Sequence, residues 1–145
     1  MTTYAVAHIL HLLCAISFIG VVFFEVLLLE GLRRPLGEEA MATFEAALIN
    51  RARRIMPWVV GTLFASGLGL AWFHRGALLS GTPMGVLLWV KLALAFSVLG
   101  HFIFALKTAS DGCMNSRLFK RLHVSVGLHM LGIVLLAKGM FYVSW

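Results

Sequence analysis

Four apolar runs, at about residues 4–29, 55–73, 85–106 and 122–143, constrain this chain more than any other feature. As helices rising about 1.5 Å per residue they are long enough to cross a hydrocarbon core roughly 30 Å thick. With 61% hydrophobic and 12% charged residues and a mean hydropathy of +0.94, the chain is too apolar for a water-soluble domain of 145 residues. The predicted fold is therefore all-α, one integral-membrane four-helix bundle filling residues 1–145.

The first run starts at the N-terminus, yet no basic segment precedes it and no small-x-small cleavage site ends it, so it is read as a retained span. Arg33-Arg34-Pro35-Leu36-Gly37 is expected to break the first helix. Residues 38–54 carry apolar Met41, Phe44 and Leu48 at helical spacing beside charged neighbours. This amphipathic segment either lies at the membrane surface or extends the second helix. A loop at 74–84 leads into the third span, and Asp111-Gly112 marks a turn before the fourth. Tyr142 and Trp145 then end the chain as an interfacial aromatic pair.

The net charge of +6 points to topology rather than to nucleic acid, because the cations gather in two loops. Arg33, Arg34, Arg51, Arg53 and Arg54 flank the first loop, Lys107, Arg117, Lys120 and Arg121 the third, and Arg75 alone the second. The positive-inside rule places the first and third loops in the cytoplasm and both termini on the periplasmic side of a bacterial inner membrane. Cys14 and Cys113 form no C-x-x-C, which argues against a disulfide framework and covalent haem attachment.

Ionisable residues inside such spans are costly and need partners. Counted from the basic ends of their spans at about 1.5 Å per residue, His101 lies roughly 9 Å deep and His129 roughly 12 Å, so the two can face each other. His8, His11 and His74 gather near the opposite surface. On the first helix His8, His11, Ala15, Phe18, Val22 and Glu25 recur at helical spacing as an inward stripe; on the fourth, Ser125, His129, Gly132, Leu136 and Gly139 do the same. Imidazoles from two helices at one depth, with glycine beside them, suit bis-histidine ligation of one or two b-type haems. The expected iron ligands are His11, His74, His101 and His129, with His8 and His123 as alternates. Lys91, Lys138 and Arg75 would meet the propionates.

Each of these residues also has a plainer reading: a hydrogen-bonded packing histidine, or a lysine whose ammonium snorkels to the surface. Glu25 is either a proton-relay carboxylate or the partner of a nearby arginine. Copper is the alternative metal, with Cys14, Met56, Met130, Met140 and the histidines as donors, although no Met-x-x-Met pair is present.

The run Gly81-Thr-Pro-Met-Gly…Leu-Trp-Val-Lys91-Leu-Ala-Leu, preceded by Arg53-Arg-Ile-Met…Gly67-Leu-Gly-Leu, resembles the membrane core of CopD-type copper-resistance proteins. The first-helix histidine, the Lys91…His101 spacing and Ser116-Arg-Leu-Phe-Lys-Arg are similar to HemJ-type protoporphyrinogen oxidases, which bind b-type haem. Only His11, Lys91 and, offset by one residue, His101 carry over. Phe18-Ile-Gly-Val-Val-Phe-Phe-Glu25 lacks the arginine and proline of the HemJ pattern, and Leu122-His123-Val-Ser-Val-Gly127 replaces its asparagine-glutamate-proline passage. The resemblance implies a membrane b-type cytochrome passing electrons within or across the bilayer. Copper handling and porphyrinogen oxidation are its alternatives. The partners implied are the lipid bilayer and a quinone, small oxidant or electron carrier, with homo-oligomerisation left open and no nucleic acid.

Overall fold

The computed structural model of the protein describes residues 2–113, 115–139 and 142. Four long helices, α1 (Thr3–Leu36), α2 (Glu38–Phe73), α4 (Pro83–Ser110) and α5 (Ser116–Gly139), are joined by tight turns and a short helix α3 (Arg75–Leu79). All four are long and apolar enough to cross a membrane. Met140, Trp145 and the last residues of the fourth predicted span lie outside the described residues; Tyr142 is exposed.

The helix ends follow local chemistry. Thr82 caps α4 by accepting the Gly85 amide, and Pro83 takes the first helical position, where a missing N–H costs nothing. Gly37, with φ +76°, is the residue that breaks α1 from α2. The break falls within the expected stretch Arg33–Gly37, at its last residue: the helix runs through Pro35, and the first residue that does not continue it is the glycine. The amphipathic segment 38–54 takes the second of its two expected forms, since α2 is one helix of 36 residues, roughly 54 Å at about 1.5 Å each. Gly112, with φ +69°, supplies the turn after α4.

α1 packs along α2 and α4 along α5, giving two antiparallel hairpins that meet mainly where α1 touches α5. The central contact draws on all four helices: Phe18 and Val22 from α1, Val60 from α2, Val98 from α4, Val126 and Met130 from α5. Toward the arginine-rich end a second cluster joins Leu29, Met41 and Phe119, with Met41 wholly buried. That burial is why the first turns of α2 stand against α1 instead of lying flat on a surface. The outward faces expose Ile16, Leu27, Trp58, Leu79 and Leu128, an apolar coat on every long helix or its flank.

Within α1 the segment Phe24–Leu29 forms a π-helical turn. Such a turn adds a residue without breaking the helix, and it often accompanies functional groups. Glu25 and Leu29, both within this turn, continue the buried line begun by Phe18 and Val22.

Trp89 Nε1 donates to the Leu78 carbonyl at 3.1 Å, holding α3 over the start of α4. A Cβ built on Gly85 would stand 2.1 Å from the Ala77 carbonyl oxygen, so only glycine permits this approach. Gly85→Ala should destabilise the chain by about 1–3 kcal/mol through overpacking, measured by unfolding in mixed detergent micelles, whereas Gly100→Ala, which meets nothing within 4 Å, should not.

Candidate functional site

Hydrogen-bonding chemistry fixes the state of most histidines. In five of the six, Nδ1 faces a backbone carbonyl: Leu63 for His11, Leu70 for His74, Ser97 for His101, Phe119 for His123 and Ser125 for His129. A carbonyl can only accept, so Nδ1 carries the proton and, in a neutral ring, Nε2 is the free base.

On α4 and α5 these free nitrogens lock the two helices together. Ser125 Oγ donates to His101 Nε2 at 3.1 Å, and Ser97 Oγ donates to His129 Nε2 at 3.2 Å. Each helix thus contributes one Ser-x-x-x-His unit, and each serine serves the histidine of the other. The imidazole centroids stand 5.3 Å apart with planes at 53°. The sequence places these two histidines at one level and Ser125 on the stripe of His129; the matching spacing Ser97…His101 is the signal in the sequence for the other half of the clasp.

The geometry tests the haem expectation directly. An iron between two imidazoles needs about 2 Å to each nitrogen, with a flat macrocycle filling the space around the metal. His101 and His129 instead touch ring to ring, and both Nε2 atoms already accept serine protons. Of the glycines on the expected α5 stripe, Gly132 is packed against α4, where a Cβ would meet Leu94 Cδ1 at 3.4 Å, while one on Gly139 would meet nothing within 4 Å. On α2, a Cβ on Gly67 would meet His11 Cε1 at 2.9 Å. The residues as arranged do not fit a macrocycle between α4 and α5.

At the other end of the bundle His11 leans across α2, bonded to the Leu63 carbonyl at 3.1 Å with Ser66 Oγ at 3.5 Å. Lys91 is half-buried within electrostatic reach of that ring. Tyr4 stands between His8 and His74, its ring 5.8 and 6.0 Å from theirs, so these two histidines face a phenol ring. His8 is exposed, which removes it from the expected inward stripe. Arg75 does not join Lys91 and Lys138 in a propionate cluster: it bonds the Trp72 carbonyl and lies 5.0 Å over the indole, while Lys138 is exposed. On α5 the buried line is Phe119, Val126 and Met130, one position round from the expected stripe, because this line faces the central cluster to which all four helices contribute. Met130 and Met56 pack in the central core, and no group of three or more His, Cys, Asp or Glu side chains able to hold a metal occurs among the described residues.

The arginine-rich end holds what the sequence left undivided. Glu25, only 7% exposed, contacts His123 Nε2 through Oε2, and not an arginine. Arg33 on the same helix pairs instead at 2.5 Å with Glu45 on α2 and at 3.7 Å with Glu30. Lys120 on α5 bonds Glu30 at 2.6 Å. The chain Lys120–Glu30–Arg33–Glu45 thus ties α5, α1 and α2 across the mouth of a cavity lined also by Glu25 and His123. Its volume of about 20 Å³ is enough for one water.

Glu25 Oε2 and His123 Nε2 lie in direct contact. Nδ1 of His123 is committed to Phe119, so Nε2 and a carboxylate oxygen, both acceptors otherwise, can adjoin only with a hydrogen between them. The pair is either imidazolium with carboxylate or imidazole with carboxylic acid. Its net charge is zero in both forms, which is what a low-dielectric site tolerates.

No family model matches the chain, and no curated protein or solved structure matches it. Fold and site therefore stand on the chain's own geometry. If the α4–α5 clasp is a pair of interhelical hydrogen bonds, Ser97→Ala, His129→Ala and their double variant should give a coupling energy of about 0.6 kcal/mol and at most about 1.7, the range for such bonds between membrane helices. Unfolding in mixed micelles measures it.

Proposed function

We propose that this chain is a multi-pass membrane protein that binds and releases protons at a centre formed by Glu25 and His123. The loops rich in arginine and lysine face the cytoplasm of a bacterial cell and both termini face outward, following the charge asymmetry. One observation carries the reading: a buried carboxylate on a π-helical turn lies against an imidazole nitrogen beside a water-sized cavity. Intramembrane carboxylates and histidines serve as proton sites in pumps and transporters.

The chemistry needs only the chain's own groups. A proton arriving through the cavity adds to the neutral pair and leaves it with one positive charge; a proton departing leaves one negative charge. Either state is unfavourable in hydrocarbon without a rearrangement of partners. The nearest are Lys120, Glu30, Arg33 and Glu45, which line the same cavity. The π-turn offers a register change that alters how Glu25 meets α5. Proton occupancy is thereby tied to the packing of α1 on α5, which is the basis of proton coupling.

A second reading keeps the histidines as ligands of a b-type haem or, alternatively, of copper, in a membrane electron carrier or haem-dependent oxidoreductase. It is favoured by the Nδ1–carbonyl bonds, the arrangement that prepares Nε2 for a metal, and by the CopD- and HemJ-like residues His11, Lys91 and His101. It requires α4 and α5 to separate, since the rings now touch.

Difference infrared spectra of the protein in liposomes, between about pH 5 and about pH 8, test the first reading. A buried carboxyl band that changes with pH and is missing in Glu25→Gln is the expected result; identical difference spectra for the two proteins would overturn it. An absorption spectrum of the same detergent-purified protein tests the second: a Soret band lost in His101→Ala and His129→Ala supports haem, and a colourless protein after expression with haem supply rejects it.

A further inference from the structure

We propose that a groove on α5 at the arginine-rich end binds one anionic phospholipid, its phosphate at Arg117 and Arg121 and an acyl chain along Val124 and Leu128. The inference is independent of the proton centre and rests on the membrane-spanning reading of the helices.

The groove, of about 500 Å³, is bordered by Arg117, Lys120, Arg121, Val124, Ser125 and Leu128. These positions fall at intervals of three and four, so they form one stripe along a single helix face. Chemistry changes along that stripe in one direction. Its first turns are cationic. The following turns are apolar, and Leu128 is 66% exposed. Leu128 lies seven residues beyond Arg121, roughly 10 Å deeper at about 1.5 Å per residue. A phospholipid has the same gradient over the same length, phosphate above and hydrocarbon below.

The charge on the rim is not consumed by the protein. Lys120 is held by Glu30, which leaves it as a positioned wall of the groove. Arg117 and Arg121, one turn apart and both exposed, have no ion pair or hydrogen bond among the described residues. Two guanidinium groups at that spacing present several N–H donors to one phosphate, geometry that a single snorkelling lysine lacks. An acidic peptide or a nucleic acid could satisfy the arginines, but neither would cover Val124 and Leu128 at hydrocarbon depth. A zwitterionic lipid would bring a compensating ammonium and gain less from the pair. Basic pockets beside membrane helices recognise anionic head groups by this combination.

The groove also adjoins the helix clasp. Ser125 on its floor is the residue whose hydroxyl donates to His101, so a lipid seated there shields that bond from competing water.

Native mass spectrometry of the purified chain, offered equimolar phosphatidylglycerol and phosphatidylcholine in detergent, decides the matter. One retained lipid is expected, with phosphatidylglycerol preferred about thirtyfold, the product of two arginine contributions. Arg117→Gln with Arg121→Gln should bring the preference to within about twofold of unity. Arg51→Gln with Arg54→Gln, which removes equal charge from α2, should leave it unchanged. Leu128→Trp, which keeps every charge and fills the groove, should also lose the retained lipid, and excess glycerophosphoglycerol, lacking acyl chains, should not displace it. Equal retention of the two lipids, or an equal loss from both arginine pairs, would overturn the site in favour of diffuse attraction. Displacement by the soluble head group would overturn the acyl half of the groove.

Discussion

Hydrocarbon offers a polar atom no water, so each one inside a spanning helix must be satisfied by the chain itself. The placement of the histidines follows from that demand. Five of six tie Nδ1 to a carbonyl, four of them to the residue one turn back on their own helix. His101, His123 and His129 thus dispose of one ring nitrogen locally and spend the other across an interface, whereas His11 spends Nδ1 itself on the Leu63 carbonyl of α2. His101 and His129 spend theirs on serines of the opposite helix, His123 on Glu25 of α1.

Because lipid tails are as apolar as leucine, burial alone does little to associate such helices; close packing and interhelical hydrogen bonds do it. The structure divides the two tasks. The middle of the bundle is packed by side chains without polar atoms able to bond, Phe18, Val22, Val60, Val98, Val126 and Met130. Polar contacts flank it: the serine–histidine clasp on the α4–α5 seam, His11 on the α1–α2 seam, and the ion pairs at the arginine-rich end. The α1–α5 seam carries the carboxylate–imidazole contact of Glu25 and His123, and it is where the π-turn occurs.

The arginine-rich end differs in kind from the opposite end. There Arg33, Lys120, Glu30 and Glu45 saturate one another around a small cavity, while Arg117 and Arg121 face outward over a separate groove. The basic residues of this end thus supply an ion-pair network within and an open cationic edge outside. At the other end the polar groups are few and aromatic: Tyr4, His8, Phe73 and His74 meet through ring edges, and Arg75 rests on Trp72.

Much of this was legible in the sequence. Length and hydropathy of the four runs determine four helices, because a run that long has no other way to satisfy its backbone in lipid; Gly112 and Thr82-Pro83 mark ends by local chemistry alone. Depth along a helix is also sequence information, which is why His101 and His129 could be placed level before any fold was known. What periodicity could not decide is azimuth, the direction in which each residue faces once four helices are packed. His8 faces outward although it shares the spacing of the inward stripe, the buried line of α5 lies one position round from the expected one, and Arg33 finds Glu45 on an extension of α2 that sequence alone left either flat or upright. Whether two level imidazoles enclose a ligand or clasp each other depends on interhelical distance, and that distance is set by small side chains and rotamers on both helices at once. Only the tertiary structure contains it.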